Sequence, residues 1–438
     1  MNTPSRRPRF SPSVRIRSLV FLFLVLVFLG MFVSLCGCSP HSASSTNSDE
    51  PNYAGSVSDE SVSASSHGES DTKDAEAGAG KPSGSLAQQA ETLVASMSLE
   101  QKVAQLFVVR PESITGMGTV TQAGEATRAA LEKYPVGGLA YFSNNLIDGP
   151  QTKLLLSNTQ TYYREITGLP AFLCVDEEGG TVARIAGNPD FAVENVGDMR
   201  EVGATGDTDY ARSVAANIGS YLRDYGFNVD FAPDADIANN PGSTTMAQRV
   251  FGTTADEVSP MVKAQVEGFL SAGILCAAKH FPGIGGAEGD SHNESIYSEK
   301  TADQMAEEEL LPFQAAMEAQ VPFIMIGHLS TPSITGSDLP ATVSREIVTG
   351  LLRDRLGYQG IIITDSLEMG AVTERYTQEE IAVAVLEAGV DMVLLPVDFP
   401  AAYQGVLDAV ASGRLSEDRI DSSVERIVLT KLAWESGV

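Results

Sequence analysis

The chain has 438 residues, 43% of them hydrophobic and 20% charged, with a net charge of −28 and an isoelectric point near 4.5. That acidity leaves no basic surface for reading phosphates, so nucleic acid is excluded as a partner. The apolar fraction is that of a protein with a large core rather than of a disordered chain.

Arg6, Arg7, Arg9, Arg15 and Arg17 precede an uncharged apolar run, Leu19–Leu35. A basic stretch followed by an apolar one is the pattern of an export signal. The run ends in "LCGC" (Leu35–Cys38), which resembles a bacterial lipoprotein box with Cys38 as the lipidated residue. Residues 1–38 are therefore expected to export the chain and tether it to a membrane at the cell surface; an uncleaved anchor is the alternative. Residues 39–85 are rich in Ser, Gly, Ala and acids and nearly free of large apolar side chains. Such a segment cannot bury enough surface to offset its ordering entropy and reads as a disordered tether. Residues 1–85 carry 7 Lys/Arg and 8 Asp/Glu, so nearly all of the negative charge belongs to residues 86–438.

From Leu86 onward, eight short apolar runs recur: near 103–109, 137–143, 171–176, 227–233, 274–280, 323–328, 360–365 and 391–397. Helix-like segments such as "YARSVAANIGSYLRDYG" and "QEEIAVAVLEAG" lie between them. Continuous apolar strands alternating with amphipathic helices predict a parallel sheet covered on both faces. Eight such units over residues 86–438 fit one α/β domain, a (β/α)8 TIM-type barrel; an open doubly wound sheet is the alternative. Cys174 and Cys276 fall inside two of the runs and read as buried free thiols.

In such a barrel the chemistry sits where strands end. The third run ends at Asp176, the fifth at Lys279 and His280, the sixth at His328 and the seventh at Asp365. Ionisable side chains straight after "FLCV", "CAA" and "III" would be costly if buried without partners, so their convergence on one rim marks a site. His328 is a candidate for lining the cavity and binding substrate, with a structural role as the alternative. A glycine-rich stretch follows Lys279 and His280 and carries Asp290-Ser291-His292. A histidine titrates near neutrality and can both give and take a proton, and an aspartate two residues away can orient its ring. Glycosyl transfer with retention needs such a group together with a nucleophile, and Asp365, rigid at a strand end, suits the second role. Glu368, three residues on, is the rival carboxylate. The glycines at 283, 285, 286 and 289 are expected to let the loop move over the site. An Asp-x-His pair beside His280 could also suggest a metal, but the glycine-rich loop and the charge of Lys279 argue against one, and no cofactor motif is found.

The stretch "KHFPGIGGAEGDSH" (Lys279–His292) resembles the signature of glycoside hydrolase family 3 β-N-acetylglucosaminidases. The resemblance extends over about residues 90–438 through "MSLEQKVAQLF", "DEEGG" (Asp176–Gly180), "RVFG" (Arg249–Gly252) and "TDSLEM" (Thr364–Met369). It implies Asp365 as nucleophile, Asp290 and His292 as the acid/base dyad, and Asp176, Arg184, Arg249, Lys279 and His280 as sugar-holding residues. The expected substrate is a glycan with terminal N-acetylglucosamine, peptidoglycan fragments among them. Two positions depart from the pattern: Ile284 stands where many members have a histidine, and Thr181 where many have an arginine. The resemblance leaves two alternatives to hydrolysis, a phosphorylase that uses phosphate as acceptor and a non-catalytic sugar-binding lipoprotein.

Overall fold

A computed structural model describes residues 84–240, 246–289, 291, 295–373 and 375–437. The signal and lipobox region, nearly all of the tether, and Asp290 and His292 lie outside the described residues. The described residues all belong to one compact unit, Ala79–Val438.

All eight apolar runs contain strands: β1 Phe107–Val109, β2 Gly138–Ala140, β3 Phe172–Val175, β4 Val229–Asp230, β5 Leu275–Phe281, β6 Phe323–Ile326, β7 Ile361–Thr364 and β8 Val393–Leu394. They pair in parallel in chain order from β1 to β7, and β8 pairs with β1 through Phe107↔Val393. The ring closes between β7 and β8. There Ile363 bridges Met392, the Thr364 N–H donates to the Met392 carbonyl (3.1 Å) and the Met392 N–H to the Ile362 carbonyl (3.0 Å). This is the barrel expected from the repeat and not the open sheet.

Every residue of β3, β6 and β7 is buried, because side chains point alternately into the barrel and under the helices, and water reaches neither face. The helices follow local signals. Ser85, Ser98, Thr301 and Thr377 each close a reciprocal capping box with the Gln or Glu three residues on. The helices Gly149–Thr167, Thr208–Tyr225 and Gln378–Ala388 end on left-handed glycines, Gly168, Gly226 and Gly389. Between β6 and β7 the crossover Glu346–Arg355 is wound wide, with i→i+5 geometry. Among the described residues no helix is long and apolar enough to cross a membrane.

The floor of the barrel is polar and fully buried in two places. Asp391, just before β8, accepts from the Ile362 N–H (2.9 Å) and from Ser423 Oγ (2.5 Å), and pairs with Arg353 and Arg426. Lys431, on the last helix Glu417–Ser436, donates to Gln105 Oε1 (2.8 Å) and Tyr163 OH (3.1 Å), with the Phe172 ring 5.0 Å from its Nζ. Burial pushes its amine down to about 7. Cys174 and Cys276 are buried free thiols. Trp434 packs against the core and donates from its indole N–H to the Gly273 carbonyl (2.9 Å).

Candidate active site

The segments that follow β1, β2, β3, β4, β5 and β7 surround a cavity of about 510 Å3 at the C-terminal ends of the strands. Asp176, Arg184, Arg249, Lys279, His280 and Asp365 all line it, so six residues singled out in the sequence are brought together. His328 is not among the lining residues. Its ring is buried, with Nδ1 3.0 Å from Thr342 Oγ1 and Nε2 2.9 Å from the Ser366 carbonyl, so it braces the turn after β7 from behind. Asp290 and His292 lie outside the described residues; Gly289 and Ser291 line the cavity.

One wall is a charge cluster. Arg249 meets Glu178 at two points, Nε–Oε2 2.8 Å and Nη2–Oε1 2.7 Å. Lys279 Nζ lies 2.6 Å from the same Glu178 and 2.9 Å from Asp176 Oδ1. Burial opposes ionisation of Glu178, but the two cations outweigh it and hold the carboxyl well below its usual range. For the Lys279 amine, burial acts downward and is outweighed by Glu178 and Asp176, so the group stays charged. Lys279 and His280 are joined by a cis peptide bond.

The loop "DEEGG" is shaped by Glu177, the neighbour of these residues. Its carboxylate accepts the backbone N–H groups of Arg184 (2.5 Å), Ile185 (2.8 Å) and Ala186 (2.8 Å) and the Tyr221 hydroxyl (2.8 Å). Glu177 thereby folds the segment back in a short hairpin, Glu177–Gly179 against Val182–Ala183, and carries Arg184 to the cavity.

Asp365 directly follows β7. Its N–H donates to the Ile326 carbonyl (2.8 Å) and its Oδ1 accepts the Ser366 N–H (2.7 Å). Burial works to raise its pKa. His280, His328, the Ser366 N–H and Lys279 outweigh burial and hold the carboxyl below its ordinary value. Asp365 is thus an anion at neutral pH, fixed by backbone and open to the cavity. The rival Glu368 also lines the cavity, but it is committed to Arg110 (3.1 and 2.7 Å), whose guanidinium lies 3.7 Å from the Phe142 ring centroid. Phe142 lines the cavity too, whereas its neighbour Tyr141 is buried in the core.

Two of the four glycines in the glycine-rich loop have a packing role. A Cβ on Gly285 would collide with the Ile237 carbonyl oxygen, and one on Gly286 with the Asn239 side chain. Asn240 Nδ2 donates to the Gly286 carbonyl (3.1 Å). These two glycines therefore permit close packing against the segment after β4. Only Gly283 and Gly289, at φ +115° and +94°, use the conformational freedom of the residue.

The sequence reading missed Glu178, Asp234 and Asp236. The last two sit in "FAPDAD" straight after β4, a strand that is only two residues long. Asp234, Asp236 and His280 place potential ligand atoms within 4.8 Å of one another. The donor set does not suit a cation. Both Asp236 oxygens already accept N–H groups, His280 Nδ1 is engaged by Asp236, and the Arg249 guanidinium lies 3.5 Å from Asp234.

A parallel barrel with a fixed anion after strand seven and a buried cluster of cations and carboxylates lining the same cavity defines a class: α/β-barrels that gather an ionised carboxylate and a charge cluster at the C-terminal rim. Within that class the chain belongs to glycosyl hydrolase family 3, whose N-terminal domain matches residues 98–430. It is 34% identical over 334 residues to β-hexosaminidase A of Pseudoalteromonas piscicida, covering 70% of this chain and 55% of that one. It is 31% identical over 349 residues to the β-hexosaminidase LpqI of Mycobacterium tuberculosis, covering 77% and 84%. Among solved structures, a family 3 β-N-acetylglucosaminidase from Paenibacillus sp. superposes with a TM-score of 0.72 at 36% identity, over 78% of this chain and 63% of that one. The chain thus spans little more than half of the Pseudoalteromonas relative and most of the mycobacterial one.

Proposed function

We propose that the chain is a retaining exo-β-N-acetylglucosaminidase. It removes terminal β-linked N-acetylglucosamine, with Asp365 as the nucleophile that forms a covalent glycosyl-enzyme and Asp290–His292 as the acid/base dyad. The observation that carries this reading is Asp365. It is an ionised carboxylate at the end of β7, held by the backbone on one side and facing the sugar-sized cavity on the other. A nucleophile must be ionised and immobile before the anomeric carbon arrives.

The opposite wall suits a sugar. Lys279 is already paired with Asp176, Arg249 with Glu178 and His280 with Asp236, so a hydroxyl can join the network without leaving a buried charge alone. Hydroxyls held there would place C1 toward Asp365. Proton transfer then falls to His292, protonated for departure of the leaving group and neutral for activation of water, with Asp290 stabilising the charged ring. The substrate is a glycan or muropeptide fragment with a free N-acetylglucosamine end. The chain works outside the cytoplasm, tethered through Cys38.

The test is hydrolysis of p-nitrophenyl β-N-acetylglucosaminide by the full chain in detergent, beside Asp365→Ala and His292→Ala. Cleavage by the wild type with release of the β-anomer first, and loss of at least about a thousandfold in kcat for Asp365→Ala, is the expected result. Release of the α-anomer, or an active Asp365→Ala, overturns the mechanism; an inert wild type on all β-N-acetylhexosaminides overturns the function.

A further inference from the structure

His280 meets the cavity with one edge of its ring, and what that edge offers depends on where its proton sits. Nδ1 lies 2.8 Å from Asp236 Oδ2. The same carboxyl accepts the His280 backbone N–H at Oδ2 (3.1 Å) and the Ile284 N–H at Oδ1 (2.5 Å). Nε2 makes no hydrogen bond to any described residue, and the ring lines the cavity.

Two buried carboxyls stand here, and only one needs to be ionised. Asp234 accepts a single N–H, that of Asp236 (3.0 Å), its Oδ2 has no partner, and Arg249 is 3.5 Å away. Asp236 accepts two backbone N–H groups, one at each oxygen, beside its contact with His280 Nδ1. Hydrogen bonds to the charged form favour it, so the negative charge belongs on Asp236 and the neutral acid is Asp234. Burial pushes both carboxyls up, Asp234 further because Asp236 lies beside it, while the N–H groups on Asp236 counter the rise there. An ionised carboxylate can only accept, so Nδ1 must carry the hydrogen. Around the ring stand Asp234 and Asp236 after β4, Asp365 after β7, Arg249 and Lys279; burial dominates and pushes the ring's pKa down, which leaves a neutral imidazole with a single proton.

We infer that Asp236 is a positioning residue that holds His280 with its proton on Nδ1, so that Nε2 presents a bare lone pair to the cavity and accepts a hydrogen bond from one ring hydroxyl of the bound sugar. The hydroxyl acts as donor. That differs from what the cationic neighbours do, since Lys279 and Arg249 can only donate. The site therefore distinguishes hydroxyls by direction, one made to give its hydrogen to His280 and others made to receive. The inference rests on the proposed function for its ligand but not for the state of the ring.

Two measurements test it. The first needs no substrate: long-range 1H–15N correlation on the full chain labelled at histidine, with the His280 signals assigned by difference against His280→Gln. A protonated Nδ1 and a bare Nε2 at pH 7 are expected; an Nε2–H tautomer or an imidazolium overturns the inference. The second compares deoxy and fluoro analogues of the p-nitrophenyl glycoside at C3, C4 and C6. Fluorine accepts weakly and cannot donate. At one position both analogues should lose kcat/KM equally, by at least about tenfold. If at every position the fluoro analogue keeps activity within about threefold of the hydroxyl, no hydroxyl donates to the site and the inference fails.

Asp236→Asn adds the positioning test. An amide cannot accept at both ends, so its NH2 must face either the Ile284 N–H or the His280 backbone and ring nitrogens, and the ring is no longer held to the Nδ1–H form. The penalty at that one sugar position should then shrink while those at the other two stand. A uniform loss across all analogues would mean that Asp236 serves folding alone. A wild type inert on every glycoside would sink the proposed function while the tautomer remained readable.

Discussion

Glu178 joins Arg249 through two hydrogen bonds, 2.8 and 2.7 Å, and neither carboxylate oxygen is free, because Oε1 also receives Lys279 at 2.6 Å. One buried carboxylate therefore bridges both cations of the cavity wall, with Asp176 as the second anion on Lys279. Breaking a buried pair from one side leaves uncompensated charge and costs about 3–5 kcal/mol. Glu178→Gln should lower the melting temperature by several degrees and cut kcat/KM by about a hundredfold or more. Thermal scans and steady-state kinetics check both. A variant with wild-type stability and activity would show that the cations are held by something other than Glu178.

The state of Asp365 sets an acid limit. Its carboxyl ordinarily titrates at 3.8 and is held lower in the folded chain. A depressed carboxyl pKa contributes stability that is present above the unfolded value and is lost as pH falls through the folded one. The same proton inactivates a nucleophile. The limb of kcat/KM that belongs to Asp365 should therefore fall below pH 3.8, and any acid limb nearer neutrality belongs to another group. Asp365→Asn removes the limb with the activity, and it should fold with a melting temperature that no longer drops as steeply below about pH 4. A profile of kcat/KM from about pH 3 to 9 beside melting curves of both proteins checks this.

Lys431 gives a second stability prediction, in an alkaline window and away from the cavity. Its amine has a folded pKa of about 7 against 10.5 in an open chain. Between those values the unfolded chain binds one more proton than the folded one, so stability rises with pH, by about 1.4 kcal/mol per unit from this group. Lys431→Met should abolish that slope. The Gln105 oxygen that loses its donor costs a fixed amount and leaves the slope unchanged. Urea unfolding at pH 7, 8, 9 and 10 for both proteins reads it directly, and parallel lines would refute it.

Most of the frame was legible because barrel strands are buried on both faces, so runs such as "FIMI" and "GIIITD" announce themselves without alternation. The strand ends were legible for the same reason, since an ionisable residue right after such a run stands out, as Asp176, Lys279 and Asp365 do. Asp236 was not, because β4 is only two residues long and "NVDFAPDAD" carries acids throughout. His328 stood out by the same rule as Asp365 and proved to brace the turn from behind. Sequence shows that a charge is near the rim and cannot show which way it faces. Glu177 and Glu178 are adjacent, yet the first folds the loop through four donors and the second bridges the two cations of the wall. That division depends on side-chain direction, which alternates along the strand and is fixed only by the partners present.

The glycine-rich loop yields the sharpest single-residue test. Gly285 has an ordinary backbone angle, so its lack of a side chain is not needed for conformation. It is needed for space, because a Cβ there would strike the Ile237 carbonyl oxygen and backbone, which cannot move aside cheaply. Were the loop's glycines present for mobility, Gly285→Ala would be mild and would mainly slow the loop. If close packing governs, Gly285→Ala must push the loop off the segment after β4 and disturb the nearby Ile284 contact with Asp236. The expected outcome is a loss of about 1–3 kcal/mol in stability together with a fall in kcat of at least about tenfold. Gly413 provides the control, at φ +75° with open space around it between the helices Phe399–Ala411 and Glu417–Ser436. Gly413→Ala strains only its own backbone and should cost about 1 kcal/mol and leave kcat unchanged. Equal effects on kcat from the two substitutions would mean that the packing of Gly285 does not position the acid/base loop.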